Sequence, residues 1–276
     1  METIINGLKH NKPFAITSGL VLLLLFIAIA APLISPYDPT AAVMRQAYME
    51  PSVEHLFGTD KLGRDCLSRV IYGARASLSG VLLLVATVFF VGTSLGVLAG
   101  FFGGKIDMVI MRIADMMISF PGMILAIAIA GILGGSLINA VLALTIVSWT
   151  KYARLARSMV LKVKQKDFVE AAIVNGGGYG HILWVHILPN ILPLMIVTAV
   201  ADIGALMMEL AGLSFLGFGS QPPNPEWGLM LNEGRQQLQT APWLMFFPGL
   251  AIFITVVIFN LWGDSLRDVL DPRQEN

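Results

Sequence analysis

Four charged residues lie within apolar stretches of this sequence, where an unpaired charge is costly. Asp202 and Glu209 are seven residues apart and share one helix face, and Arg112 and Asp115 are three apart and can pair. Ionisable residues inside a bilayer often line a substrate or ion pathway. The alternatives are buried structural pairing or a position near the lipid headgroups, and for Glu209 a generic structural role.

Residue patterns for other kinds of chemistry are missing from the sequence. The single cysteine, Cys66, can form neither an intrachain disulfide nor a cysteine zinc cluster, and the four histidines show no HExxH-type spacing. No GxxxxGK motif followed by Ser or Thr, and no GxSxG motif, is present. The net charge of zero argues against nucleic acid as a partner. We therefore predict no catalytic residues, no metal site and no cofactor.

The most specific pattern is the run EAAIVNGGGYGHILWVHILPN at residues 170–190. A short helix is predicted over Asp167–Val174, with Glu170 in its first turn, where the helix dipole favours an anion. The two alanines after Glu170 give this helix a slim surface that can fit a groove of a partner. Gly176 then begins a glycine break that allows a sharp turn without a Cβ penalty, and a second helix follows.

The composition indicates that lipid surrounds much of the chain. Of its 276 residues, 56% are hydrophobic and 13% are charged, and the mean hydropathy is +0.75. Soluble domains carry about 25% charged residues, so this chain has too few charges to cover a soluble surface. We predict a single-domain, all-α integral membrane protein.

Six apolar stretches approach the roughly 20 residues that a membrane-spanning helix needs. They cover about residues 14–34, 77–102, 109–133, 137–155, 188–210 and 244–263. The first is longer than the core of a signal peptide, roughly 7–15 residues, and is interpreted as an anchor, with a cleaved signal peptide as the alternative. The third contains Pro121. Gly92, Gly96 and Gly100 in the second predict a face for close helix packing, unless they only reflect how common glycine is in membrane helices.

The basic residues predict the orientation of the chain in the membrane. Residues 151–166 carry six lysines and arginines and no acid, and short basic loops tend to stay cytoplasmic. This rule places the loop 156–187 and both termini, with Arg273, in the cytoplasm. The loops 36–75 and 213–240 are then external, with Cys66 as a small residue of the first.

The run at residues 170–190 resembles the EAA loop of binding-protein-dependent ABC permeases, whose pattern is Glu-Ala-Ala, three residues, Gly, nine residues and x-x-Leu-Pro. The matching residues are Glu170, Ala171, Ala172, Gly176, Leu188 and Pro189. Three further runs resemble motifs of the dipeptide/oligopeptide/nickel permeases. They are HLFGTDKLGRDCLSR (55–69), SFLGFGSQPPNPEWGLML (214–231) and PGLAIFITVVIFNLWGDSLRDVLDPR (248–273).

The resemblance, which covers about Tyr37 to Arg273, implies a type I ABC importer permease fold with six transmembrane helices. It implies a non-catalytic, multi-pass subunit of the cell (cytoplasmic or inner) membrane. Its partners would be a second homologous permease, two ABC ATPase subunits, an extracytoplasmic substrate-binding protein and membrane lipid. Glu170–Gly176 would form a coupling helix in a groove of an ATPase. His181 and His186, five apart, do not share an α-helical face and are interpreted as ordinary residues of this region.

Two other classes of protein compete with this interpretation. An ion-gradient-driven secondary transporter could use Asp202 and Glu209 as carboxylate relays, and a membrane-bound enzyme would need a catalytic constellation that the sequence lacks. Within the permease class the substrate is a nickel ion or nickel chelate, or a di- or oligopeptide. The stretch at residues 201–217 resembles nickel-type members somewhat more.

Overall fold

The computed structural model describes residues 11–270, and residues 1–10 and 271–276, which include Arg273, lie outside the described part. In chain order the helices are α1 (Lys12–Ile34), α2 (Cys66–Phe102), α3 (Gly104–Ile118), α4 (Gly122–Leu133), α5 (Leu137–Lys164), α6 (Asp167–Val174), α7 (Tyr179–Phe215), α8 (Trp227–Gly234) and α9 (Trp243–Leu270). Short 3-10 turns occupy Met44–Gln46 and Arg235–Gln237. The described residues contain no β-strand, which confirms the prediction of an all-α chain.

Four helices are long and apolar enough to cross a membrane: α1, α2, α7 and α9. The pair α3 and α4 would add a fifth crossing if it is counted as one broken span. Helix α5 has 28 residues, but basic side chains from Lys151 onward occupy its second half. Among the described residues, four helices, or five spans if the bent pair counts as one, meet this criterion, and the number of six spans stays a prediction.

The third apolar stretch is not one helix, contrary to the sequence expectation for residues 109–133. Helices α3 and α4 meet at an angle of 94°, and Pro121 lies at the break, in an extended backbone conformation. Proline has no N–H to donate, and its ring disfavours a helical conformation of the residue before it. Because Ser119 and Phe120 precede Pro121, α3 ends there and α4 begins in a new direction.

The three glycines of α2 form its contact with α5. A side chain at Gly92 would meet the Trp149 carbonyl oxygen at 2.5 Å, and those at Gly96 and Gly100 would meet Ala153 and Val160. Later residues of α2 thus meet later residues of α5, so the two helices run parallel. Since only a hydrogen atom fits between the backbones, this finding confirms the predicted packing face.

The parallel run of α2 and α5 defines two ends of the bundle. The end that holds the beginnings of both helices also holds α8 and residues 36–65, and we call it the loop end. The opposite end, which we call the α6 end, holds the ends of both helices, where the Lys164 ammonium donates to the Phe101 carbonyl oxygen at 2.8 Å. The two ends of the described chain also meet, because Phe14 packs with Leu266 and Val197.

Several helices extend beyond the predicted spans and shorten the predicted loops. Helix α2 begins at Cys66, because the Asp65 carboxylate caps it by accepting the Ser68 N–H at 2.7 Å. Cys66 is therefore a buried residue of the first helical turn, and not a loop residue as expected. At the α6 end, α5 continues to Lys164 and α7 begins at Tyr179, so most of residues 156–187 is helical.

Candidate functional site

Helix α6 is a short surface helix at the end of the bundle. It spans Asp167–Val174, as the sequence predicted, and Val169 is its one buried residue. Ala171 and Glu170 are exposed, Ala172 is half-buried, and the Val174 side chain is 86% exposed. The helix therefore presents small, acidic and apolar side chains away from the bundle.

The glycine break after α6 has the geometry that its composition indicates. Gly176 has a φ of +80°, in the left-handed region that side chains disfavour. The Gly177 N–H donates to the Ala172 carbonyl oxygen at 2.9 Å and closes the end of α6. Any other residue at 176 would strain this turn and alter the angle at which α6 leaves the bundle.

The first turns of α7 contain a π-helical stretch, Ile182–Ile187, directly before Leu188 and Pro189. Pro189 has no N–H, so the regular hydrogen-bond ladder cannot continue through it. The wider π turn brings together side chains that are five residues apart. The expectation that His181 and His186 stay on different faces is therefore wrong, since their ring centroids are 5.3 Å apart.

A cavity of about 350 Å³ lies where the α3–α4 break meets α5 and α7. Phe120 lines it from the break, Lys151 and Tyr152 from α5, and Asp202 and Glu209 from α7. The two carboxylates thus face one cavity, as their spacing of seven residues indicated. We call Lys151, Asp202 and Glu209 the cavity charges.

Asp202 is held by two residues of α5. The Lys151 ammonium lies 2.7 Å from both carboxylate oxygens, and the Tyr152 hydroxyl donates to Oδ2 at 3.0 Å. The Asp202 side chain is only 16% exposed, whereas that of Lys151 is 62% exposed. Sequence reasoning counted Lys151 only among the basic residues 151–166, and it could not identify the pair because Asp202 lies on another helix.

Arg112 and Asp115 do not form the pair that their spacing allowed. Asp115 lies on α3 and accepts from Arg154 of α5 at 2.5 Å. Arg157 binds Asp107 in the same way, through two contacts. These bonds tie α3 to the basic half of α5, and neither Arg112 nor Asp115 is among the residues that line the cavity.

A second group of charges, which the sequence did not single out, lies at the loop end. We call Asp60, Arg64, Arg69 and Glu233 the loop ion cluster. Arg64 binds Asp60 at 2.6 Å and Glu233 at 3.2 Å, and Arg69 binds Glu233 at 2.8 Å. Both arginine side chains are nearly inaccessible, with Arg69 at 1% exposure.

The loop ion cluster joins two segments that are far apart in the sequence. Glu233 belongs to α8, 164 residues after Arg69, and α8 is capped by the buried Glu226, which accepts from two backbone N–H groups at 2.9 Å. The balance of acids and bases in residues 36–75 is a local sign of such pairing. The role of Glu233 has no local sign, because only the folded chain brings it to Arg69.

Comparison with known proteins supports the resemblance seen in the motifs. Residues 92–276 match the family described as binding-protein-dependent transport system inner membrane component. Residues 3–51 match the N-terminal transmembrane domain of oligopeptide transport permease C. The first match covers more than half of the chain and includes α6 and the cavity charges.

Curated relatives resemble the chain over nearly its whole length. The dipeptide transport system permease protein DppC of Alkalihalophilus pseudofirmus is 44% identical over 269 residues, which are 98% of this chain and 88% of the relative. The nickel transport system permease protein NikC of Escherichia coli is 42% identical, over 92% of this chain and 91% of the relative. The glutathione transport system permease protein GsiD of Pectobacterium atrosepticum is 45% identical, over 94% and 87%.

A solved structure shares the fold. The inward-facing MetNI methionine ABC transporter aligns with a TM-score of 0.60 at 20% identity, over 74% of this chain and 97% of the matched chain. These matches give no support to an ion-gradient-driven secondary transporter, and the family consists of transport subunits, not of catalysts. The chain belongs to the family of binding-protein-dependent transport system inner membrane components, among the ABC importer permeases whose named members include dipeptide, nickel and glutathione permeases.

Proposed function

We propose that this chain is one of two permease subunits of an ATP-driven importer in the cell (cytoplasmic or inner) membrane. It receives substrate from an extracytoplasmic binding protein, and two separate ABC ATPases drive it. The substrate is a di- or oligopeptide, or a nickel ion or chelate, as the names of the relatives suggest. The chain binds no cofactor. It couples the movement of its partners to the opening of a path for the substrate.

The exposure of α6 is the observation that carries this proposal. An isolated helix of eight residues is unstable in water, and α6 buries only Val169 in this chain. Its apolar Ile173 and Val174 are exposed. A groove of an ATPase subunit would cover these side chains, and Glu170, Ala171 and Ala172 would lie in the same contact. The turn at Gly176, with Leu188 and Pro189 beyond it, would transmit the movement of α6 into α7.

The orientation follows from the same assignment. If α6 contacts an ATPase, the α6 end and both chain termini are cytoplasmic, and the loop end faces the binding protein. The chain then crosses the membrane six times, with α3 and α4 together as the third crossing and α5 as the fourth. The basic residues of α5 lie toward the cytoplasmic side in this arrangement, in agreement with the positive-inside rule.

The cavity charges are the proposed lining of the pathway. A charge within a bilayer is costly unless it faces the protein interior or water, and Asp202 and Glu209 face the cavity. Arg112 and Asp115 were further candidates from the sequence. Because Asp115 binds Arg154 away from the cavity, we assign Asp115 to the joining of α3 and α5, and Arg112 is left out of the proposed lining because it does not face the cavity.

The test of the proposed function is ATP-driven uptake by the intact transporter. Gly176→Pro and Glu170→Lys should each abolish uptake, because they distort the turn and reverse a charge in the proposed contact. Both variants should still insert with the bundle folded, because Glu170 and Gly176 are exposed at the α6 end and the strain of Gly176→Pro stays within the turn. Wild-type uptake by both variants would refute the assignment of α6 as the coupling helix.

A further inference from the structure

The cavity charges form an asymmetric pattern that the pathway proposal does not use. Lys151 and Asp202 neutralise each other through contacts of 2.7 Å. The Glu209 carboxylate, in contrast, makes no ion pair or hydrogen bond with any other side chain in residues 11–270. The cavity therefore holds one compensated pair and one uncompensated carboxylate.

Within the compensated pair, the Lys151 ammonium can still bind a ligand. Both oxygens of Asp202 are in contact with the Lys151 ammonium, and Oδ2 also accepts from Tyr152. An ammonium group has three donors, and the Lys151 side chain is 62% exposed. The charge of Asp202 is thus compensated, whereas Lys151 keeps a donor that can bind a further anionic group.

The two available charges are separated along the cavity, because Lys151 of α5 binds α7 at Asp202. Glu209 follows Asp202 by seven residues, which is about 10 Å along a helix axis. We propose that Lys151 and Glu209 are specificity-determining residues that bind the two ends of a zwitterionic cargo, Lys151 its carboxylate and Glu209 its ammonium group. This inference rests on the proposed function, because it places cargo in the cavity.

The spacing fits a short peptide. An extended chain spans about 3.3–3.6 Å per residue, so the charged ends of a tripeptide lie about 10 Å apart. The cavity of about 350 Å³ is within the range of small-ligand sites, about 300–1,000 Å³. A bare divalent cation fits less well, because the Lys151 ammonium repels it. Within the described part of the chain, no group of three His, Cys, Asp or Glu side chains could hold a metal ion.

The inference can be tested by binding to the purified complete transporter without its binding protein, which removes selection by that partner. Equilibrium dialysis would compare trialanine, its C-terminal amide, its N-acetyl derivative and Ni²⁺. The wild type should bind trialanine about 10-fold or more tightly than either blocked peptide, since each lost charged hydrogen bond has an effect of this order.

Two sets of substitutions should each remove a different one of these two binding preferences. Lys151→Met combined with Asp202→Asn should remove the difference between trialanine and its amide and leave the difference from the N-acetyl derivative. Glu209→Gln should remove the difference between trialanine and the N-acetyl derivative and leave the difference from the amide. The control, Arg157→Met with Asp107→Asn, removes an ion pair between α3 and α5 outside the cavity and should leave both preferences intact.

Each outcome decides the inference. Equal binding of trialanine and both blocked peptides by the wild type would overturn it, and so would binding of Ni²⁺ alone. Equal loss of both preferences in the Glu209→Gln variant would also overturn it. ATP-driven uptake by the same wild-type preparation in vesicles would show that the proposed function survives such a result, and absence of uptake of every probe would refute that function as well.

Discussion

The two ends of the bundle differ in which side chains they bury and which they expose. At the loop end, two guanidinium groups and two carboxylates are buried together in the loop ion cluster and pair with one another. At the α6 end, a short helix with exposed apolar residues is held by one buried side chain. The loop end thus pairs its charges within the chain, whereas the α6 end exposes the apolar side chains of a short helix.

This difference indicates which end of the molecule can rearrange more easily. Breaking one contact in a buried ionic network leaves uncompensated charges, so the loop end resists rearrangement. A surface helix that makes few buried contacts can shift at low cost. The cavity charges lie between the two ends, partly compensated and partly exposed, where a change in helix position would alter access to them.

The largest expected effect is the loss of stability on breaking the loop ion cluster. Arg69→Met leaves Glu233 and Asp60 buried with one partner fewer, which should lower the free energy of unfolding by about 3–5 kcal/mol. The matched variant Arg154→Met removes an exposed pair with Asp115 and should cost about 1 kcal/mol or less. Denaturant unfolding of the detergent-purified protein measures the loss of unfolding free energy in both variants. Equal losses would contradict the proposed difference between buried and exposed ion pairs.

The next effect concerns uptake at nearly constant stability. Asp202→Asn keeps the shape of the side chain and its bond from Tyr152, and the exposed Lys151 can be solvated by water. Uptake should fall about 10-fold, because Lys151 loses the charge-assisted bond that positions it in the cavity, and the midpoint of unfolding should change little. Parallel losses of folded protein and uptake would instead assign Asp202 a purely structural role.

The smallest effect compares two exposed valines at opposite ends. Val174→Ser and Val53→Ser each replace two exposed methyl groups with one hydroxyl, since Val174 is 86% and Val53 is 95% exposed. Neither should change stability by more than about 0.5 kcal/mol. Only Val174→Ser should lower the amount of ATPase subunit that copurifies with the chain. Equal retention in both variants would argue against an ATPase contact at α6.

Sequence reasoning succeeded where a local pattern decides the structure. The bounds of α6, the close-packing face that includes Gly92 and the common face of Asp202 and Glu209 follow from spacing within one segment. It failed where distant segments meet: neither the partner of Lys151 nor that of Arg69 can be inferred from neighbouring residues. The break at Pro121 was missed because apolar residues continue on both sides of it.

The central claim, that α6 contacts an ATPase, can be tested by cross-linking in native membranes. Ala172→Cys places a thiol on α6, and the native Cys66 is buried and should not react. Asn224→Cys, at the exposed loop end, is the matched control. A bifunctional thiol-to-amine reagent should join residue 172, but not residue 224, to an ATPase subunit that is identified by mass spectrometry. No ATPase adduct at residue 172, or an adduct at residue 224, would contradict the account.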